Sequence, residues 1–219
     1  MRDNFFHTFF QLLTGQTGDQ VNLGPAGGIL TAAFYWLVLI GAVVVAVMSW
    51  RADAEQRSAH HLGNAAMRVV LSGMWYQGTL WKLPLPVSGG FKYWLAQTVK
   101  YSSFQLHADF MHVMLRLIAI TNPLVYLLEI ALTLAFALGL FNRFAGWIGA
   151  LFVFNLLIGL YNDPTEWPWT YVGLIFTQLL FAQVRVGRSL GLDNLIAKGR
   201  VRLPGGPQGG LARLARICG

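Results

Sequence analysis

A single cysteine, Cys218, stands in 219 residues, so one chain builds no internal disulfide, iron–sulfur cluster or cysteine-rich zinc site. Charge is scarce as well. Only 11% of the residues are Asp, Glu, Lys or Arg, where a soluble domain carries roughly 25%. Apolar residues make up 55%. So few charges cannot cover the surface of a chain this long, and part of that surface is expected to meet lipid. No internal repeat is visible, which removes the usual mark of an alternating-access transporter. The opening residues also lack the basic, apolar, then small-residue order of a cleavable signal. Residues 1–28 are read instead as a surface segment. Phe5, Phe6, Phe9, Phe10, Leu12 and Leu13 give it an aromatic amphipathic stretch suited to the plane of a membrane.

What the chain does contain is long uncharged runs. Residues 29–50 carry no charge and make a helix of about 33 Å, enough to cross the hydrocarbon core; Arg51 stops it. A second segment runs over residues 65–81. Between Arg68 and Lys82 it offers only about 20 Å of uncharged helix, so those charges must snorkel to an interface or face the bundle interior. Residues 83–121 form a long connection opened by Pro84, Pro86, Gly89 and Gly90. Its stretch from Phe91 to Ile120 reads as amphipathic helix and is expected to cap one side of the membrane. A third segment starts at Asn122-Pro123, with proline at the first helical position, and reaches Phe141. The fourth covers Phe144 to Tyr161. A short hairpin makes it the antiparallel neighbour of the fifth, Pro168 to Val184. The expected fold is an all-α integral membrane protein. A four-helix transmembrane bundle lies within residues 65–193, joined by an additional N-terminal transmembrane helix and the interfacial helical cap.

Net charge is +7, and residues 194–219 form a basic tail with a short surface helix expected over 211–217. Arg185, Arg188, Lys198, Arg200, Arg202, Arg213 and Arg216 follow directly after an apolar helix. That placement marks the cytoplasmic face of a membrane, and no nucleic acid partner is expected. Arg51, Arg57 and Arg143 fall on the same side as the tail, against Arg2, Lys82, Lys92, Lys100 and Arg116 on the other. The positive-inside rule then puts the C-terminus in the cytoplasm of a bacterial cell and the N-terminus and cap outside its inner membrane. Tyr161, Trp167, Trp169 and Tyr171 would form an aromatic belt at the outer end of the last hairpin.

Two spanning segments carry polar stripes. Arg68, Ser72, Trp75, Thr79 and Lys82 alternate at spacings of four and three, one face of a helix, with Tyr76 and Gln77 beside it. Asn122, Tyr126, Glu129 and Thr133 repeat the pattern. Lipid satisfies no such stripe, so each must face protein or water. Glu129 is the outstanding residue, because a carboxylate at membrane depth is either protonated or paired with a cation. Lys82 is its natural partner by depth; Arg68 lies roughly 20 Å away along the helix. One reading is a pocket for a quinone headgroup, with Glu129 handling protons and Arg68, Trp75, Tyr76, Lys82, Asn122 and Tyr126 around the ring. The other is a buried ion pair that fixes helix register. His7, His60, His61, His107 and His112 all fall outside the spans, so no bis-histidine haem is expected. His107, Asp109 and His112 match no strong metal motif, and no metal is expected. Asn155, Thr177 and Gln178 read as interhelical hydrogen-bonding residues.

Three motifs carry a resemblance. Arg68 precedes Gly78 and Lys82 in a Gly-Thr-Leu-Trp-Lys-Leu run; Glu129 precedes Gly139-Leu-Phe-Asn-Arg143; and residues 186–193 read Val-Gly-Arg-Ser-Leu-Gly-Leu-Asp. In this order residues 65–193 resemble the DoxX/DoxD family of small bacterial and archaeal membrane proteins, with the first span and the segment before it as an N-terminal addition. The long cap resembles the DoxD branch. The resemblance implies a four-helix bundle acting as a membrane subunit of thiosulfate:quinone oxidoreductase, or anchoring soluble redox or sulfur-transfer enzymes. With no cysteine in the bundle, covalent sulfur chemistry there is not expected. Two functions stay open: a quinone-linked redox subunit, and a non-catalytic accessory or assembly subunit of a larger respiratory or photosynthetic complex. Both imply partner subunits, membrane or peripheral, within the bilayer.

Overall fold

The computed structural model describes residues 23–201 and 217–219. The amphipathic stretch at Phe5–Leu13, Arg2, His7, and the tail arginines Arg202, Arg213 and Arg216 lie outside the described residues, as does nearly all of the helix expected over 211–217. The described residues form helices joined by turns and short loops, with no strand among them. In chain order the helices are α1 (Gly24–Ala52), α2 (Ala59–Leu80), α3 (Gly89–Lys100), α4 (Gln105–Arg116), α5 (Ile118–Leu138), α6 (Asn142–Leu160), α7 (Pro168–Gln183) and α8 (Leu192–Ala197). Short 3-10 turns at Ala54–Gln56 and Val186–Arg188 complete the chain path.

Among the described residues three helices are long and apolar enough to cross a membrane: Ala26–Ala52 of α1, with mean hydropathy 2.4, and α5 and α6, each at 1.7. α2 and α7 miss that measure for different reasons. α2 has 22 residues but carries His60, His61, Asn64 and Arg68 in its first half. α7 is apolar but only 16 residues long.

Local chemistry explains most boundaries. Asp53 leaves the helical region after α1 and accepts the Glu55 N–H at 3.1 Å. Ser58 and Ser88 cap α2 and α3 by accepting the His61 and Phe91 amides, at 3.3 and 3.0 Å. Gly139 ends α5 in the left-handed region at φ 66°, and the Leu140 amide turns back onto the Ala135 carbonyl. Phe141 precedes α6 with no cap of its own. The cap arrives from the far end of the chain: Asp193 accepts the Phe141 and Asn142 amides at 2.8 and 3.1 Å.

Two sequence expectations need correction. The stretch from Phe91 to Ile120 is not one amphipathic helix but the hairpin α3–α4, broken at residues 101–104. The break is held by the Ser103 amide and hydroxyl on the Ile158 carbonyl of α6 and by Ser102 on His107. Pro123 is not the first residue of its helix either. α5 begins at Ile118 and carries Pro123 inside it, because Thr121 turns the chain from α4 by donating to the Met114 and Leu117 carbonyls.

α2 packs along α5, and α6 along α7. Their shared core is Leu71, Trp75, Leu132, Phe136, Ala145, Val153, Phe181 and Val186. α1 lies outside this group, joined through Tyr35, Val38 and Ala42 to Tyr76, Leu80 and Ala137. The hairpin α3–α4 closes one end, called here the cap end, over Phe91, Leu95 and Met111. The opposite, tail end gathers the ends of α1, α5 and α7, the starts of α2 and α6, and α8.

Candidate functional site

The two polar stripes turn inward as their periodicity requires. Arg68, Ser72, Trp75, Thr79 and Lys82 are all buried, as are Asn122, Glu129 and Thr133; Tyr126 is half-buried. Ser72 donates to the Thr133 carbonyl at 2.9 Å and so ties α2 to α5. Trp75 donates its indole N–H to Gln178 Oε1 at 3.2 Å and meets Phe152 edge-on, which ties α2 to α6 and α7.

At the cap end the ammonium of Lys82 stands 2.7 Å from Glu129 Oε2, with both side chains almost fully buried. The same ammonium donates to the Gly78 carbonyl at 2.8 Å and sits 3.6 Å from the Trp81 ring centroid. Gly78 is small for a reason: a Cβ there would lie 3.3 Å from the Glu129 carboxylate. Asn122 fixes the backbone beneath the pair, donating to the Lys82 and Pro86 carbonyls at 3.0 and 3.1 Å.

Lys82 and Glu129 face a cavity of about 520 Å³ between the α3–α4 hairpin and helices α5, α6 and α7. Its walls are mainly aromatic and aliphatic, with Trp81, Phe91, Trp94, Phe110 and Phe152 prominent and Met111 and Met114 from α4. Thr98, Thr121, Asn155 and Glu166 add polar atoms. Tyr171 donates to Glu166 at 2.8 Å at the α7 side of the wall. Asn155 also meets His107 Nε2 at 3.1 Å, while His107 Nδ1 bonds Ser102 at 2.8 Å, so the cap histidine serves the hairpin break and the cavity wall together. Asp109 accepts from Gln105 within α4. An apolar chamber with a few convergent polar groups is the usual form of a small-molecule site.

The structure brings only part of the expected constellation together. Lys82 and Glu129 line the cavity, with Asn122 supporting them. Trp75 and Tyr126 are not among the lining residues. Tyr76 turns the other way, stacking on Tyr35 at 4.4 Å and donating to the Thr31 carbonyl of α1. Arg68 belongs to the tail end, where Nη1 reaches the Val186 carbonyl at 3.4 Å. There Gly139 and Gly191 crowd the guanidinium so closely that a Cβ on either would collide with Nη1. Asp193 lies in the same cluster. Burial pushes its carboxyl above the ordinary value, against the pull of the Asn142 and Phe141 amides and of Arg68 and Arg188. The motif residues thus form two clusters at opposite ends: Gly78, Lys82 and Glu129, and Arg68, Gly139, Gly191 and Asp193.

Trp81, Trp94, Phe110, Met111, Met114, Glu166 and Tyr171 were not foreseen as site residues. They come from four separate segments and, apart from Met111 and Met114 on one face of α4, share no helical face, so no spacing in the sequence marks the whole set as neighbours. No family model, curated protein or solved structure matches this chain.

Proposed function

We propose that the chain is a multi-pass membrane subunit of a redox complex, of the DoxX/DoxD type, whose cap-end cavity receives a quinone headgroup. What carries this reading is a buried ammonium–carboxylate pair opening onto an aromatic chamber. Lys82 is placed to donate to a ring carbonyl oxygen, and Glu129 to exchange a proton with it. Aromatic walls suit the flat faces of the ring. Reduction to the quinol takes two electrons from a partner dehydrogenase chain and two protons. The bundle then crosses the inner membrane five times, α2 and α7 included, with the C-terminus in the cytoplasm.

The test is quinone binding to the purified protein, read by quenching of tryptophan fluorescence, since Trp81 and Trp94 line the cavity. Replacing Glu129 by Gln removes a charged partner, and the affinity is expected to fall about tenfold or more. Unchanged affinity in the Glu129→Gln protein would overturn the reading.

A second reading has one observation in its favour. α1 is 29 residues long, and its outward face leaves Ile29, Leu37, Ile40 and Val44 exposed. An accessory subunit docked by α1 to larger membrane chains would use such a face. Stoichiometric copurification with those chains, without quinone, favours this function.

A further inference from the structure

α4 has three faces rather than two. His107, Met111 and Met114 turn into the protein, with Met111 and Met114 on the cavity wall. Gln105, Asp109, His112 and Arg116 form an exposed polar stripe at spacings of four, three and four. Leu106, Phe110, Val113 and Leu117 form a second exposed stripe, shifted by one residue and wholly apolar. A polar and an apolar stripe side by side, both uncovered, are what a helix lying at a membrane surface presents. The membrane-length helix α5 that follows exposes large apolar residues of its own near this junction, Ile120, Leu124 and Leu127. The side of α4 that meets hydrocarbon is therefore the Phe110 side.

Phe110 belongs to two surfaces at once. It is 51% exposed, on the apolar stripe, and it lines the cavity that holds Lys82 and Glu129. We propose that this cavity is entered sideways from the bilayer, past Phe110, by an amphiphile whose long apolar chain stays along the α4 stripe while its polar head reaches the Lys82–Glu129 pair. The identity of the head rests on the quinone reading above; the route does not. Phe110 acts as the portal residue, and His112, on the polar stripe nearly opposite it around the helix, faces water.

The route is tested first without quinone. In proteoliposomes carrying Cys218→Ser, single variants Phe110→Cys and His112→Cys are treated with an apolar, bilayer-dissolved maleimide or a charged, water-soluble thiol reagent supplied to both faces. The proposal expects the Phe110→Cys thiol to react with the first and resist the second, and His112→Cys to do the reverse. Equal attack on both positions by the charged reagent overturns it. Next, Phe110→Trp narrows the portal. The association rate of a long-chain quinone is expected to fall about tenfold, with a short-chain soluble quinone unaffected and His112→Trp without effect on either. Equal effects on both quinones overturn the lateral route while leaving the head-group reading intact. If the unaltered protein binds no quinone, the head-group reading fails, and the thiol reactions decide the route alone.

Discussion

A buried ammonium with no partner is expensive, and Lys82 is almost fully buried. Its stability contribution therefore depends on Glu129, whichever ligand the cavity takes. Removing one member leaves the other charge unpaired in a low-dielectric interior, which costs about 3–5 kcal/mol, whereas replacing both with apolar groups of similar size is often neutral. Glu129→Leu alone is expected to destabilise the protein by that amount, and Lys82→Met combined with Glu129→Leu to recover most of it. Denaturant unfolding of the two singles and the double gives the coupling directly. A Glu129→Leu protein as stable as the parent would show that the pair contributes nothing to folding. The depth matching of Lys82 and Glu129 was legible from spacing alone. Arg68 and Tyr76 lie away from this cavity, because residues on one α2 face still span the whole bundle from tail end to cap end. Tyr76 lies beside that face, and only the position of α1 shows that it turns toward Tyr35.

At the scale of elements, the periodic features were readable and the tertiary caps were not. α1, α5 and α6 are continuous apolar runs, and hydropathy finds them. The N-terminus of α6 is stabilised by Asp193, more than fifty residues downstream in the sequence, and no local signal reveals that. α8 is tied down similarly: Lys198 lies 3.4 Å from Asp53 and 3.6 Å from Glu55, and Asn194 donates to Ser49 at 2.9 Å. Burial alone would push the Asp53 carboxyl up, but the Glu55 amide, Lys198 and Asn194 outweigh it and hold it below the ordinary value of 3.8. A carboxylate lowered in the fold contributes stability that is present above its unfolded value and lost as pH falls through its folded one. The contribution of Asp53 to the hydrogen-exchange protection of the α8 amides is therefore expected to be complete above pH 3.8 and to be lost only below it. In Asp53→Asn protection should be lower at neutral pH, and the further loss on acidification below 3.8 should be smaller than in the parent. Equal acid sensitivity in that variant would remove Asp53 from the account.

The whole molecule divides its surface by chemistry. Phe144, Trp147, Leu151 and Phe154 form one exposed apolar stripe on the membrane-length helix α6, while Arg51, Arg57, Lys198 and Arg200 are exposed toward the tail end. Five crossings require the two termini to lie on opposite faces of the membrane. Epitope tags at each end, exposed to protease in sealed membrane vesicles, are expected to be cut from different sides. Cleavage of both from one side would mean an even number of crossings and would leave α2 or α7 within the protein or at its surface.

Composition alone, with 11% charge, led to the expectation of helices apolar enough to cross a membrane, and α1, α5 and α6 are such helices. Periodicity alone determined that Arg68, Lys82 and Glu129 turn inward, because lipid offers a polar stripe no partner. Where those residues meet, and with what, was decided only by the tertiary structure. The α3–α4 hairpin folds over helices α5, α6 and α7 and encloses the chamber, and Asp193 returns to α6 beside Arg68. Both are contacts between segments far apart in the chain, and helical spacing reports only neighbours within a few turns.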